Sequence, residues 1–153
     1  MPSRRDQLTM TTEEIDEFLR GRHTMSVATF NHDGTIHLVA MWYGFLDGVP
    51  ALWTYGRSQK VRNLERDPRV TGLVEDGERY DQLRGVELVG AGEIIRDRAM
   101  VLAVGLSVYG RYTAPVTEHV PALVEQMGAK RIVVRFAIDK VVSWDHGKLA
   151  GAY

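Results

Sequence analysis

Before residue 25 the apolar positions recur every three or four residues, and after it every second residue. The switch separates an opening helix from a chain built mostly of strands. In the helix Thr11 and Glu14 form a capping-box pair, and Ile15, Phe18 and Leu19 make an apolar stripe beside Glu13, Asp16 and Glu17. Gly21 is its stop. Met25 to His32 reads as a strand, Asp33-Gly34 as a hairpin turn, and Thr35 to Phe45 as the return strand. Asp47-Gly48 makes a second turn, and Ala51 to Tyr55 a third strand.

The stretch from Gly56 to Pro68 interrupts the strands. Ser58 is placed to cap a short helix that turns Val61 and Leu64 inward, and Asp67-Pro68 ends it. Arg69 to Glu75 is strand-like again and closes on Asp76-Gly77. Val86 to Arg96 is a longer extended run, whose Gly90 and Gly92 share one face and mark a bend, a bulge or a close backbone approach. Asp97 to Tyr109 and Thr117 to Met127 are helix candidates, the second stopped by Gly128, with Tyr109 to Pro115 a loop between them. Lys130 to Trp144 is the last strand, with Ile132, Val134, Phe136 and Ile138 on one face and Arg131 and Arg135 on the other. This order predicts one α+β, mainly β domain over residues 1–153, a barrel-like sheet with short peripheral helices. Residues 1–10 are expected to be a flexible arm.

Composition narrows the function. Hydrophobic residues make up 44% and charged residues 25%, as in an ordinary globular chain. A formal net charge of −1 provides no general field for nucleic acid, so anion binding has to be local. The absence of cysteine excludes disulfides, thiolate metal sites and a cysteine nucleophile. With no apolar run of about 20 residues and no secretory leader, the expectation is a cytoplasmic protein without a membrane partner.

One local field stands out. Arg57, Lys60, Arg62, Arg66 and Arg69 face only Glu65 and Asp67 within 13 residues of chain. A glycine, a hydroxyl and a lysine meet at a strand-to-helix junction, where free backbone N–H groups also attract anions. Arg57, Ser58 and Lys60 are therefore candidate phosphate ligands. A solvated helix face fits the same residues, and composition alone favours it about two to one.

The five histidines show no metal spacing, so no zinc site is expected. His37 lies on the opposite face of its strand from Ile36 and Leu38, placed either to line a cleft or to sit at the surface. No serine has a triad context. Met41, Trp42, Tyr43, Trp53, Tyr109 and Tyr112 are numerous enough to wall a planar ring, although core packing explains each one singly.

The runs Ser26-Val-Ala-Thr-Phe-Asn-His-Asp-Gly34 and Trp53-Thr-Tyr-Gly-Arg-Ser-Gln-Lys-Val-Arg-Asn-Leu-Glu-Arg-Asp-Pro-Arg-Val70 resemble the pyridoxamine 5′-phosphate oxidase-like superfamily. Within it the chain is most similar to B-type deazaflavin-dependent reductases, which use coenzyme F-420. Leu83 to Glu93 and Ser143 to Tyr153 also look like that group.

The resemblance implies a split β-barrel (the FMN-binding split barrel) that forms a homodimer with cofactor sites at the interface. It implies that Lys60, Arg57 and Ser58 hold the cofactor phosphate and that His37, Val39, Ala40 and Met41 run along the ring. Thr54 completes the contact from the third strand. It further implies an F-420-dependent oxidoreductase that passes hydride from the reduced deazaflavin to a small electron-poor acceptor. An alkene, an imine or a quinone would serve. The alternatives are an FMN enzyme on the same fold and a non-catalytic carrier of the coenzyme or of haem. No catalytic side chain is expected, because the cofactor supplies the reactive centre. Tyr43, His37 and Tyr109 are the conjectured proton donors.

Overall fold

A computed structural model describes residues 1–149. Strands β1 (Met25–Phe30) and β2 (Ile36–Met41) form the first hairpin. Strands β3 (Tyr43–Leu46) and β4 (Val49–Tyr55) form the second, across a turn in which Asp47 and Gly48 both have positive φ, as a two-residue hairpin loop demands. Strands β5 (Arg69–Asp76), β6 (Arg84–Ile95) and β7 (Arg131–Asp145) complete one antiparallel sheet in the order β2-β1-β5-β6-β7-β4-β3.

That order dictates the shape. β2 and β3 lie at opposite edges of the sheet, yet only Trp42 separates them in the chain. A single residue spans only a few ångströms, so the sheet must curl until its edges meet. The result is a split barrel. The expected single strand over 35–45 is thus two strands joined at a corner, and each half pairs with a different neighbour.

Among the described residues five α-helices dress the barrel: α1 (Arg4–Leu8), α2 (Thr12–Arg20), α3 (Gln59–Arg66), α4 (Arg98–Tyr112) and α5 (Val120–Met127). α1 occupies part of the segment expected to be a flexible arm, and Met10 beyond it is buried. The Thr11/Glu14 capping box is present in full. α4 runs through the first residues of the expected 109–115 loop, whereas α5 begins three residues later than the pattern suggested.

Two cores result. The barrel interior packs Met25, Val27, Leu52, Val74, Leu88 and Phe136 with Phe18 and Leu19 of α2. The outer core packs Trp53, Val104, Val108, Val124 and Val133 beneath α4 and α5. β4 and β7 feed both cores, so Leu52/Trp53 and Val133/Val134 are buried on alternate faces of continuous apolar runs. Ile138, expected beside Phe136 on the inner face, is instead 39% exposed. The β6–β7 register shifts between Val89 and Gly90, at the site where two glycines were read as a bend or close approach. A side chain at Gly90 would collide with the carbonyl oxygen of Ala137.

Candidate functional site

α3 is short, and half of it faces inward. Ser58 sits at its N-cap in extended geometry, and Asp67 before Pro68 ends it. Val61 and Leu64 are buried at i, i+3 spacing, and so are the polar pair Lys60 and Asn63. Asn63 is satisfied: its Nδ2 donates to Thr29 Oγ1 and Asn31 Oδ1, both at 3.0 Å, and its Oδ1 accepts from Gln59 at 2.9 Å. It ties the helix to β1.

Lys60 is different. It is 6% exposed, and its Nζ donates to Thr54 Oγ1 at 2.8 Å. Among the described residues no carboxylate pairs with it. Burial, and then repulsion from Arg131, push its pKa below the ordinary lysine value. Beside it in sequence, Ser58 Oγ is buried and makes no hydrogen bond among the described residues, so Ser58 does not cap α3 with its side chain. An under-compensated buried cation two positions from an unused hydroxyl makes this stretch one that an anion would relieve.

β2 carries the other expected residues. His37, Val39 and Met41 alternate inward and are half-buried, while Ile36, Leu38 and Ala40 turn outward and are exposed. His37 pairs across the ladder with Thr29, the residue that accepts from Asn63. This rung connects β2 to α3. His37 Nδ1 is buried without a partner among the described residues.

Beyond Ser58 opens a cleft of about 860 Å³. One wall is Tyr55, Gly56, Arg57 and Ser58; the other holds Arg96, Arg98, Lys130 and Arg131. No acidic residue lines it. The walls meet because β4 pairs with β7, bringing Tyr55 opposite Arg131. Arg98 is braced by donating to the carbonyls of Arg131 (2.9 Å) and Gly128 (2.6 Å), and Arg96 reaches Glu65 at 3.2 Å.

A second pocket of about 370 Å³, walled mostly by apolar side chains, lies between the end of β2 and the outer helices. Met41, Trp42, Trp53, Tyr109 and Met127 wall it, and Arg131 lines both this pocket and the basic cleft. The Arg131 guanidinium lies 4.6 Å from the Trp53 ring centre and 4.4 Å from that of Tyr55. Its Nη1 donates to the Trp53 carbonyl at 3.2 Å.

The basic segment of the sequence therefore divides. Arg57 and Ser58 line the cleft, whereas Lys60 lies outside its lining, buried with Thr54 as its partner. Arg66 is spent on Phe30 O and Asn63 Oδ1, and Arg69 on Asp67, whose carboxyl it holds down to about 2. Of the conjectured proton donors, Tyr43 is fully buried, donates to Leu19 O at 2.6 Å, and is pushed up by burial to about 12. It faces no cleft. Tyr109 lines the apolar pocket. His119 is exposed beside Glu118 at the start of α5. Arg96, Arg98, Lys130 and Arg131 had no signal in the sequence, since two segments far apart in the chain contribute them. Among the described residues no cluster of His, Asp or Glu is arranged to hold a metal, and no helix is long and apolar enough to cross a membrane.

The family model described as pyridoxamine 5′-phosphate oxidase matches residues 11–145. The chain belongs to this family. Among solved structures, a conserved hypothetical protein from Mycobacterium tuberculosis is 44% identical, with a TM-score of 0.93, over 97% of this chain and 93% of its own. A structure described as an F-420 reductase is 26% identical, with a TM-score of 0.63, over 82% of this chain and 94% of its own. A putative 5-nitroimidazole antibiotic resistance protein from Bacteroides thetaiotaomicron shares the fold at 16% identity, with a TM-score of 0.72, over 89% of this chain and 84% of its own. A comparison with curated protein sequences finds no match. This member of the family thus combines its barrel with the Thr54–Lys60 pair and a cleft lined by cations.

Proposed function

We propose that the chain is a coenzyme F-420-dependent reductase. The observation that carries this reading is Lys60, a buried cation with no carboxylate partner among the described residues, two positions from the unused hydroxyl of Ser58. Lys60, Ser58 and Arg57 would hold the cofactor phosphate, with Thr54 fixing the lysine. His37, Val39, Ala40 and Met41 would run along the ring, and His37 Nδ1 is buried without a hydrogen-bond partner among the described residues. When bound, the deazaflavin supplies a hydride for an electron-poor organic acceptor. The protein's own residues bind, orient and exclude water.

F-420 is favoured over FMN by the cleft beyond the phosphate position. FMN ends at its phosphate, whereas F-420 continues into a chain of carboxylates. Arg57, Arg98 and Lys130 offer that chain cations with no carboxylate partner among the described residues, and Arg96, which reaches Glu65, adds a fourth. The active form would be a homodimer. Ile36 and Leu38 are 64% and 67% exposed on the edge strand β2, an apolar face that a second copy would cover.

Titration of the purified chain with F-420, FMN and haem, followed by fluorescence and absorbance, tests the reading. Micromolar F-420 binding without FMN or haem affinity is expected, and Lys60→Ala should weaken it by at least tenfold with the fold intact. A protein that retains FMN or haem and ignores F-420 overturns the assignment.

A further inference from the structure

The apolar pocket is not needed for the phosphate or the carboxylate tail, and its polar features are specific. Trp53 and Arg131 both line it, and Trp53 Nε1 and Arg131 Nε are buried donors without an acceptor among the described residues. Two donors without acceptors on residues that line one pocket leave that corner of the molecule short of oxygen acceptors. Arg131 also makes no ion pair among the described residues. Its plane is held between Trp53 and Tyr55 and its Nη1 by a backbone carbonyl, so its direction is set before any ligand arrives.

The remaining walls are flat or flexible and apolar. Trp42 stacks on Tyr112 with ring centres 4.7 Å apart and planes within 3°, and Met41 and Met127 provide soft thioether surfaces. About 370 Å³ lies near the lower end of the usual range for small-ligand pockets. From this combination we infer that the pocket admits flat, apolar acceptors bearing a single carboxylate, and that Arg131 is the residue that selects them. The designation of this ligand as the acceptor rests on the proposed cofactor reading, because Ala40 and Met41 at the end of β2 border both the ring position and the pocket. The selectivity itself does not depend on it.

A neutral isostere isolates the carboxylate. Calorimetric titration of the full chain with 2-naphthoate and with 2-naphthamide, with and without F-420, should show naphthoate binding at least tenfold tighter. Arg131→Met should erase that ratio. Arg131→Lys, which keeps a charge but loses Nε and the stacked plane, should reduce it, and serves if the methionine variant does not fold. Thr113→Trp, at the exposed mouth of the pocket, should block both naphthalenes while F-420 still binds. Equal affinities in the parent chain, or a ratio that survives both Arg131 substitutions, overturn the inference. So does a ratio lost in Lys60→Ala but kept in Arg131→Met, since the carboxylate would then occupy the phosphate position. In any of those cases intact F-420 binding leaves the proposed function standing. Selective naphthoate binding without F-420 affinity removes that function and leaves the pocket's selectivity.

Discussion

Arg111 and Arg131 are both half-buried, both stacked on aromatic rings and both bonded to backbone carbonyls, but they end differently. Arg111, near the end of α4, donates to Tyr43 O (3.0 Å), Arg20 O (3.0 Å), Gly21 O (2.8 Å) and, more weakly, Leu19 O. Its guanidinium lies 4.6 Å from the Tyr43 ring centre. It collects the carbonyls left over at the C-terminus of α2, where the helix dipole also favours a cation. Every donor nitrogen is used. Arg131 donates to one carbonyl and keeps Nε idle. The same side chain is a rivet where its donors are consumed and a receptor where one is left over. The accounting of partners, rather than burial or charge, separates the two roles.

Breaking the rivet should have the largest effect. Arg111→Met strands several carbonyls at the α2–α4 junction and should cost about 3 kcal/mol. For a chain of this size that lowers the melting temperature on the order of 10 °C, readable by circular dichroism. A change of only a degree or two would mean that water replaces the arginine and that the two regions do not differ.

The saturated region can also be probed by pH. The folded state keeps the Tyr43 proton up to about 12, whereas an unfolded tyrosine releases it near its model value of 10.0. The unfolded chain therefore binds fewer protons in that window, and stability falls as pH rises through it. This group contributes a loss on the order of 2 kcal/mol between pH 10 and 12. Denaturant melts across that range should show a shallower slope for Tyr43→Phe. An unaltered slope would place the alkaline transition elsewhere.

The smallest effect sharpens the other side of the comparison. Lys60→Met replaces a buried, unpaired cation with an apolar chain of similar length and should raise the stability of the ligand-free protein by about 1 kcal/mol. Because the folded pKa of Lys60 is lowered, the unfolded state binds more protons between that value and the ordinary lysine pKa, so the parent chain's deficit shrinks as pH rises. A melting temperature that falls instead would make the Thr54 contact structural.

Sequence reading succeeded wherever a local rule operates. The Thr11/Glu14 box, the turns at 33–34, 47–48 and 76–77, and Gly90 as a close-approach residue each depend on a few adjacent positions. It failed at Trp42, a strand-favouring residue inside an alternating pattern, because the corner there is imposed by the curl of the whole sheet. It ended α4 early, since Gly110 weakens helix propensity that packing overrides. For the candidate site, the Thr54–Lys60 stretch stood out in the sequence as a contiguous motif. Arg96, Arg98, Lys130 and Arg131 were not, because strand pairing assembles them from distant segments. Nor could the sequence distinguish Asn63, fully bonded, from Lys60, three positions away and short of partners.

The hairpin between β1 and β2 has a consequence far from its tip. Asp33 Oδ1 accepts from the amide and the hydroxyl of Thr35, and Asn31 bonds the same threonine. These contacts count the residues between the strands. With one residue more or fewer in that count, β2 would slip by one place, and the two faces of the strand would trade positions. Ile36 and Leu38 would enter the barrel, and His37 and Val39 would be left outside. A five-residue turn that touches no ligand thus acts as the index mark by which the chain decides which chemistry it presents.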